Sequence, residues 1–147
     1  MRIDGRWHLF KDGVLRPVVD GAVQTPSGTW QPVMFLLDAG ANRTVFDSRF
    51  LSLLLSVALP GDETPELAGV GGKVDCIFIQ TRLAFVGVDG KRATVKGPFG
   101  VFGDPDSSDV SILGRDVTNN LDVIYSYPRR LVTLLSAPHD FQIDPQS

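Results

Sequence analysis

Three short segments of this chain hold residue types that could do chemistry together: Phe35-Leu36-Leu37-Asp38-Ala39-Gly40-Ala41, Gly69-Val70-Gly71-Gly72 and Ser111-Ile112-Leu113-Gly114-Arg115-Asp116. Asp38 closes the apolar run Met34 to Leu37, so a strand there delivers its carboxylate to the floor of the domain. Gly40 then lets the backbone turn closely beneath that carboxylate. A carboxylate held this rigidly suits general acid or base work on a water. Taken alone, Asp38-Ala39-Gly40 reads as an ordinary turn, and it is the two later segments that lift it above one.

Rival chemistries fit less well. Gly69 to Gly72 fails the phosphate-loop pattern, because Val74 follows Lys73 where Ser or Thr is required. Asp104, Asp106 and Asp109 fail the EF-hand spacing, which demands Gly where Asp109 stands and Glu where Arg115 stands, so they read as a solvated loop. Cys76 is the sole cysteine, which excludes an intrachain disulfide and a zinc site built from several thiolates, and fits a reducing compartment. His8 and His139 lie near the chain ends with nothing to orient them toward Cys76, which leaves a buried strand cysteine. Trp7, Trp30, Phe99 and Phe102 read as core or interface anchors, and Arg129-Arg130 as a charged turn.

The elements that must position these residues come from 147 residues with 43% hydrophobic and 21% charged side chains, enough apolar material for one domain. A net charge of −3 argues against nucleic acid or an anionic membrane as partner, since either favours a basic patch. Met1 to Asp12 lacks the apolar core of a secretory signal, and Phe50 to Leu59 is too short to span a bilayer, so the expected location is cytoplasmic. Arg16 to Gln24, the turn Thr25 to Gly28 and the run Trp30 to Leu37 read as one hairpin. Lys73 to Val86 and Arg92 to Phe102 read as a second, around Asp89-Gly90. Short strands are expected at Val110 to Leu113, Asp122 to Ser126 and Leu131 to Leu135. Helix is expected at Asp47 to Leu55, apolar on every side and capped by Asp47 or Ser48, and at Arg115 to Leu121. The sum is a mainly β, closed, barrel-like domain with one or two short helices.

Over roughly Val18 to Leu135, the order and spacing of the three segments resemble the retropepsin-like aspartic proteases. That family shows two apolar residues, Asp, Thr or Ser, Gly and Ala, then a Gly-rich flap, then two apolar residues, Gly and Arg. The resemblance implies an acid-protease fold over 16–136, a segment 1–15 able to supply a dimer-interface strand, and a polar tail 137–147. It implies that Asp38 is catalytic in an active-site loop with Ala39, Gly40 and Ala41. Gly69, Val70, Gly71 and Gly72 would form the tip of a flap over an extended peptide, running from about residue 65 to residue 78. Ile112, Leu113, Gly114, Arg115 and Asp116 would support the loop. Two carboxylates sharing one proton let one act as base and the other as acid, with no metal or cofactor. One Asp motif per chain then implies a homodimer with Asp38 from each copy.

Two positions depart from the family pattern. Ala39 replaces the Thr or Ser whose hydroxyl bonds across the two-fold axis, which leaves open a catalytically weak or inactive peptide-binding or dimerisation module. Asn42 stands where retroviral members carry an Asp that pairs with the helix Arg, so Arg115 is expected to find Asp47 or Asp116.

Overall fold

A computed structural model of the protein describes residues 1–60, 76–104, 106, 109–138, 140 and 142. The expected flap tip, Gly69, Val70, Gly71 and Gly72, and His139 lie outside the described residues. The strands are β1 (Arg2–Asp4), β2 (Arg6–Leu9), β3 (Leu15–Gln24), β4 (Trp30–Leu37), β5 (Val45–Phe46), β6 (Cys76–Ile79), β7 (Arg82–Val86), β8 (Arg92–Lys96), β9 (Phe99–Phe102), β10 (Ser111–Leu113), β11 (Leu121–Ser126) and β12 (Leu131–Ser136). Helix is confined to α1 (Leu51–Leu54), α2 (Arg115–Thr118) and 3-10 turns at Ser48–Phe50 and Leu55–Val57. No helix among the described residues is long and apolar enough to cross a membrane.

The β3–β4 hairpin is the spine of the larger sheet, in register from Gln24↔Trp30 to Val18↔Leu36. Its turn closes on Gly28 at φ 89°, a conformation that glycine adopts without strain. The two-residue period puts Val19 and Val23 of β3 beside Val33 and Phe35 of β4 on one buried face. Phe46, Phe85 and Phe99 pack onto that face, with Phe35 5.7 Å from Phe46 and 6.1 Å from Phe85 between ring centroids. Each such ring contributes roughly 2–3 kcal/mol on burial. Phe102 is buried as expected, whereas Trp7 and Trp30 stay half-buried.

The sheet is not a closed barrel. Its strands follow the order β6-β9-β5-β10-β4-β3-β7-β8, with β2 beside β3, and the end strands β6 and β8 do not pair. The outer side of β6 is taken by the segment after α1, where Leu59 N–H donates to the Phe78 carbonyl at 2.8 Å, and β8 exposes Arg92, Thr94 and Lys96, residues that guard an edge against further pairing. A second sheet of three strands runs β1-β12-β11.

The second expected hairpin forms, but bent. Cys76↔Phe102 and Arg82↔Lys96 keep one register, yet both arms break at the same level, Gln80-Thr81 facing Gly97-Pro98. Pro98 has no N–H for the ladder, and Gly97 N–H donates instead to the Thr81 carbonyl at 2.8 Å. Each arm thereby becomes two strands, and β7 is free to join β3 while β9 joins β5. Cys76 is half-buried on β6, where a fully buried cysteine was expected.

The helical expectations shorten. Asp47 is the N-cap, accepting from Arg49 N–H, but the segment after it is one α turn between two 3-10 turns. Leu54 is buried while Leu53 and Leu55 are exposed, so the helix is not buried all round. The second helix ends at Thr118, and Leu121 belongs to β11. The N-terminal segment forms β1, which pairs with β12.

Asp47 is itself buried, at 2% exposure, and every one of its bonds ties β5 to β10 or to the following turn. Its carboxylate accepts from Ser111 Oγ at 2.9 Å, from Arg49 N–H at 3.1 Å and from the Arg49 guanidinium at 2.8 Å. That carboxylate holds the Arg49 guanidinium above its ordinary pKa. Asp47→Ala removes a cap and takes away the acceptor of the buried Ser111 hydroxyl proton, leaving only the bond that the hydroxyl oxygen receives from the residue 47 N–H, so we expect a loss of about 3 kcal/mol, read from urea-unfolding midpoints.

Candidate active site

Asp38 sits just beyond the end of β4, where that strand runs parallel to β10. The pairs are Ser111↔Phe35, Ile112↔Leu36 and Leu113↔Leu37. The ladder extends one step further: Asp38 N–H donates to the Leu113 carbonyl at 3.3 Å. Two apolar strands ending together thus deliver Asp38 and Gly114 side by side.

The loop after Asp38 is closed by its own backbone. Gly40 N–H donates to Asp38 Oδ1 at 2.9 Å, and Ala41 N–H to the Asp38 carbonyl at 3.2 Å. These bonds fix the half-buried carboxylate and leave Oδ2 without a partner among the described residues. An oxygen so placed can accept a hydrogen bond from a water or from a second carboxyl group.

The expected support residues converge on this loop. Arg115 N–H donates to the Ala41 carbonyl at 2.9 Å, and Arg115 Nη1 to the Ala39 carbonyl at 2.7 Å. Arg115 therefore pairs with neither Asp47 nor Asp116, against expectation. Both carboxylates are already engaged, Asp47 by Ser111 and Arg49 and Asp116 by Thr44. Leu113 is fully buried, and Ile112, half-buried, faces Val45 of β5.

Gly114 fits because nothing larger can. A Cβ there would stand 2.4 Å from the Arg43 carbonyl carbon and 2.9 Å from its nitrogen, so any side chain would push the loop off the strand end. Ala39 is exposed and presents no hydroxyl.

Sequence reasoning missed Thr44, the residue that locks the arrangement. Asp116 accepts from Thr44 N–H at 3.0 Å and from its hydroxyl at 2.7 Å, and the same hydroxyl oxygen accepts from Gly114 N–H at 3.0 Å. Thr44 is fully buried. A polar residue directly before the apolar pair Val45-Phe46 was the only available signal, and it does not reveal which donors will surround it.

Beside Leu36, two residues before Asp38, lies an open groove of about 550 Å³. Met34, Leu36, Phe10 and Val110 give it apolar walls, while Arg16 and Arg49 are among its charged members.

No protein-family model matches the sequence, and no curated protein matches it significantly. Among solved structures, the chain is similar to the crystal structure of a retropepsin-like aspartic protease from Rickettsia conorii. The likeness covers 91% of this chain and 89% of that one, with a TM-score of 0.52 and 17% identical residues. The fold is retropepsin-like. Within it, the sequence motifs Asp38-Ala39-Gly40 and Ile112-Leu113-Gly114-Arg115 stand in direct contact, which their separation along the chain does not require.

Thr44→Val keeps the shape of the side chain and removes the shared hydroxyl, which leaves Gly114 N–H buried without a partner. We expect a loss of about 2 kcal/mol in chemical denaturation. Thr118→Val serves as the comparison, because its hydroxyl only donates to the Gly114 carbonyl at 3.2 Å from a half-buried position, and it should lose less than about 1 kcal/mol.

Proposed function

We propose that the protein is an aspartic endopeptidase that acts as a two-fold homodimer, with Asp38 from each chain forming the catalytic pair. One observation carries this reading: a single Asp carboxylate fixed at the end of paired strands, with one oxygen committed to Gly40 and the other without a partner among the described residues, on a retropepsin-like fold. Two such carboxyl groups a few ångströms apart share one proton, because both cannot ionise. The charged member takes a proton from a water, which attacks the scissile carbonyl, and the protonated member donates to the carbonyl oxygen. The groove beside Leu36 would take a substrate side chain.

Hydrolysis of a peptide library by wild type and Asp38→Asn tests the assignment, at acidic to neutral pH. The substitution should lower turnover by at least about 1000-fold, the scale of general acid and base contributions combined. Equal rates in the two proteins would remove Asp38 from the mechanism.

Ala39 supports a second reading, a peptide-binding or dimerisation module with little or no turnover. A cross-axis hydrogen bond is worth on the order of 1 kcal/mol, so losing one from each copy weakens a dimer by about 2 kcal/mol, or roughly 30-fold. Ala39→Thr should therefore tighten the dimer about 30-fold and raise cleavage at low protein concentration, measured by sedimentation and peptide hydrolysis together. Peptide binding without turnover, unchanged by Ala39→Thr, would favour the second reading.

A further inference from the structure

A second cavity, of about 470 Å³, opens at the turn end of the β3–β4 hairpin, the end away from Asp38. Gln24 and Thr25 bring the hairpin turn to it, and Gln80 and Thr81 bring the bend between β6 and β7. β4 runs eight residues from this end toward Asp38, so roughly 25 Å of strand separates the two sites. The walls are tied to each other. Thr81 Oγ1 donates to the Gln24 carbonyl at 2.7 Å, and Gly97 N–H to the Thr81 carbonyl at 2.8 Å. Among the described residues that line the cavity, Arg82 and Lys96 carry charge, and both are cations.

Arg82 and Lys96 are direct cross-strand partners. Gly97 N–H donates to the Thr81 carbonyl and Gly87 N–H to the Lys91 carbonyl, both at 2.8 Å, so the odd-numbered pairs along β7 and β8 are the hydrogen-bonded ones. Arg82↔Lys96 is therefore a non-hydrogen-bonded pair, the kind whose Cα atoms stand about 4.5 Å apart and whose side chains lie closest. Like charges so placed repel and destabilise the sheet. Neither side chain forms an ion pair among the described residues, whereas Arg2, Arg6, Arg16 and Arg49 each pair with an aspartate.

We propose that this cavity binds a small phosphate monoester, whose phosphoryl group bridges Arg82 and Lys96. The site is separate from Asp38 and does not rest on the protease reading. At neutral pH a phosphate monoester brings a charge of about −2 and several strong acceptor oxygens, which matches a close pair of cations better than the single charge of a carboxylate. The Arg82 guanidinium can donate to two of those oxygens at once, and the Lys96 ammonium to another. Bound there, the anion turns a repulsive pair into a bridge, so binding stabilises the fold. The cavity is larger than a phosphate ion and falls in the size range of small-ligand sites, with Val57 and Pro26 offering apolar surface to the rest of the molecule. A net charge of −3 opposes the approach of a polyanion, which leaves a small, discrete anion as the occupant.

Titration calorimetry and thermal unfolding at constant ionic strength test the site, with phenyl phosphate as the probe and benzoate as the carboxylate comparison. Phenyl phosphate should bind the wild-type protein with a dissociation constant of about 1 mM or below and raise its unfolding midpoint saturably. Benzoate should bind at least about tenfold more weakly. Lys96→Met and Arg82→Gln should each cost at least about tenfold in affinity for phenyl phosphate. Neither variant should unfold more readily than wild type without the probe, because each removes one member of a like-charge pair. Affinity is read by calorimetry on folded protein, so the comparison holds whatever the midpoints are. Arg92→Gln removes an exposed cation of β8 that does not line the cavity, and it should change affinity less than about twofold. Three results would each overturn the proposal: no saturable binding up to about 20 mM, benzoate bound as tightly as phenyl phosphate, or a loss in Arg92→Gln equal to that in Lys96→Met. The last would reduce the effect to diffuse attraction by surface charge.

Discussion

The position of Asp38 depends on one buried hydrogen-bond relay, Asp116 to Thr44 to Gly114. Asp116 lies in the first turn of α2, Gly114 follows β10 and Thr44 precedes β5, so the relay ties together two segments that are far apart in the chain. Each bond adds on the order of 1 kcal/mol, but breaking the middle one strands a buried N–H at a larger cost. With Gly114 held, the parallel ladder continues to Asp38, and Arg115 is placed to tie down two carbonyls of the loop. The relay thereby supports from a distance the groups that hold Asp38 directly, the Leu113 carbonyl and the Gly40 N–H.

That chain of dependence explains what was legible in the sequence. Period-two burial and Gly28 marked the β3–β4 hairpin, because both are local properties of the strands and their turn. The three chemical segments were legible by order and spacing, and two of them meet at the site. Closure of the sheet was not, since it depends on whether β6 and β8 reach each other. The exposed Arg92 and Lys96 of β8 speak against that only once its two faces are known. Thr44 and the partner of Arg115 were illegible for the same reason. Side-chain donors choose among acceptors that tertiary structure brings near, and Asp47 and Asp116 were each taken by a closer partner.

The Asp38 loop is closed within one chain. Gly40 and Ala41 bond back to Asp38, and Arg115 takes the carbonyls of Ala39 and Ala41. A hydroxyl at position 39 is thus not needed to shape the loop, and in the proposed homodimer its absence would bear on association between copies.

A preformed loop also sets what a second copy has to contribute. In the proposed homodimer, association adds the other carboxylate and the low-dielectric contact that couples the two, while neither loop has to be reorganised. Nearly all the interaction free energy of the interface then appears as dimer affinity, since little is diverted into ordering. An interface relieved of that cost can be small.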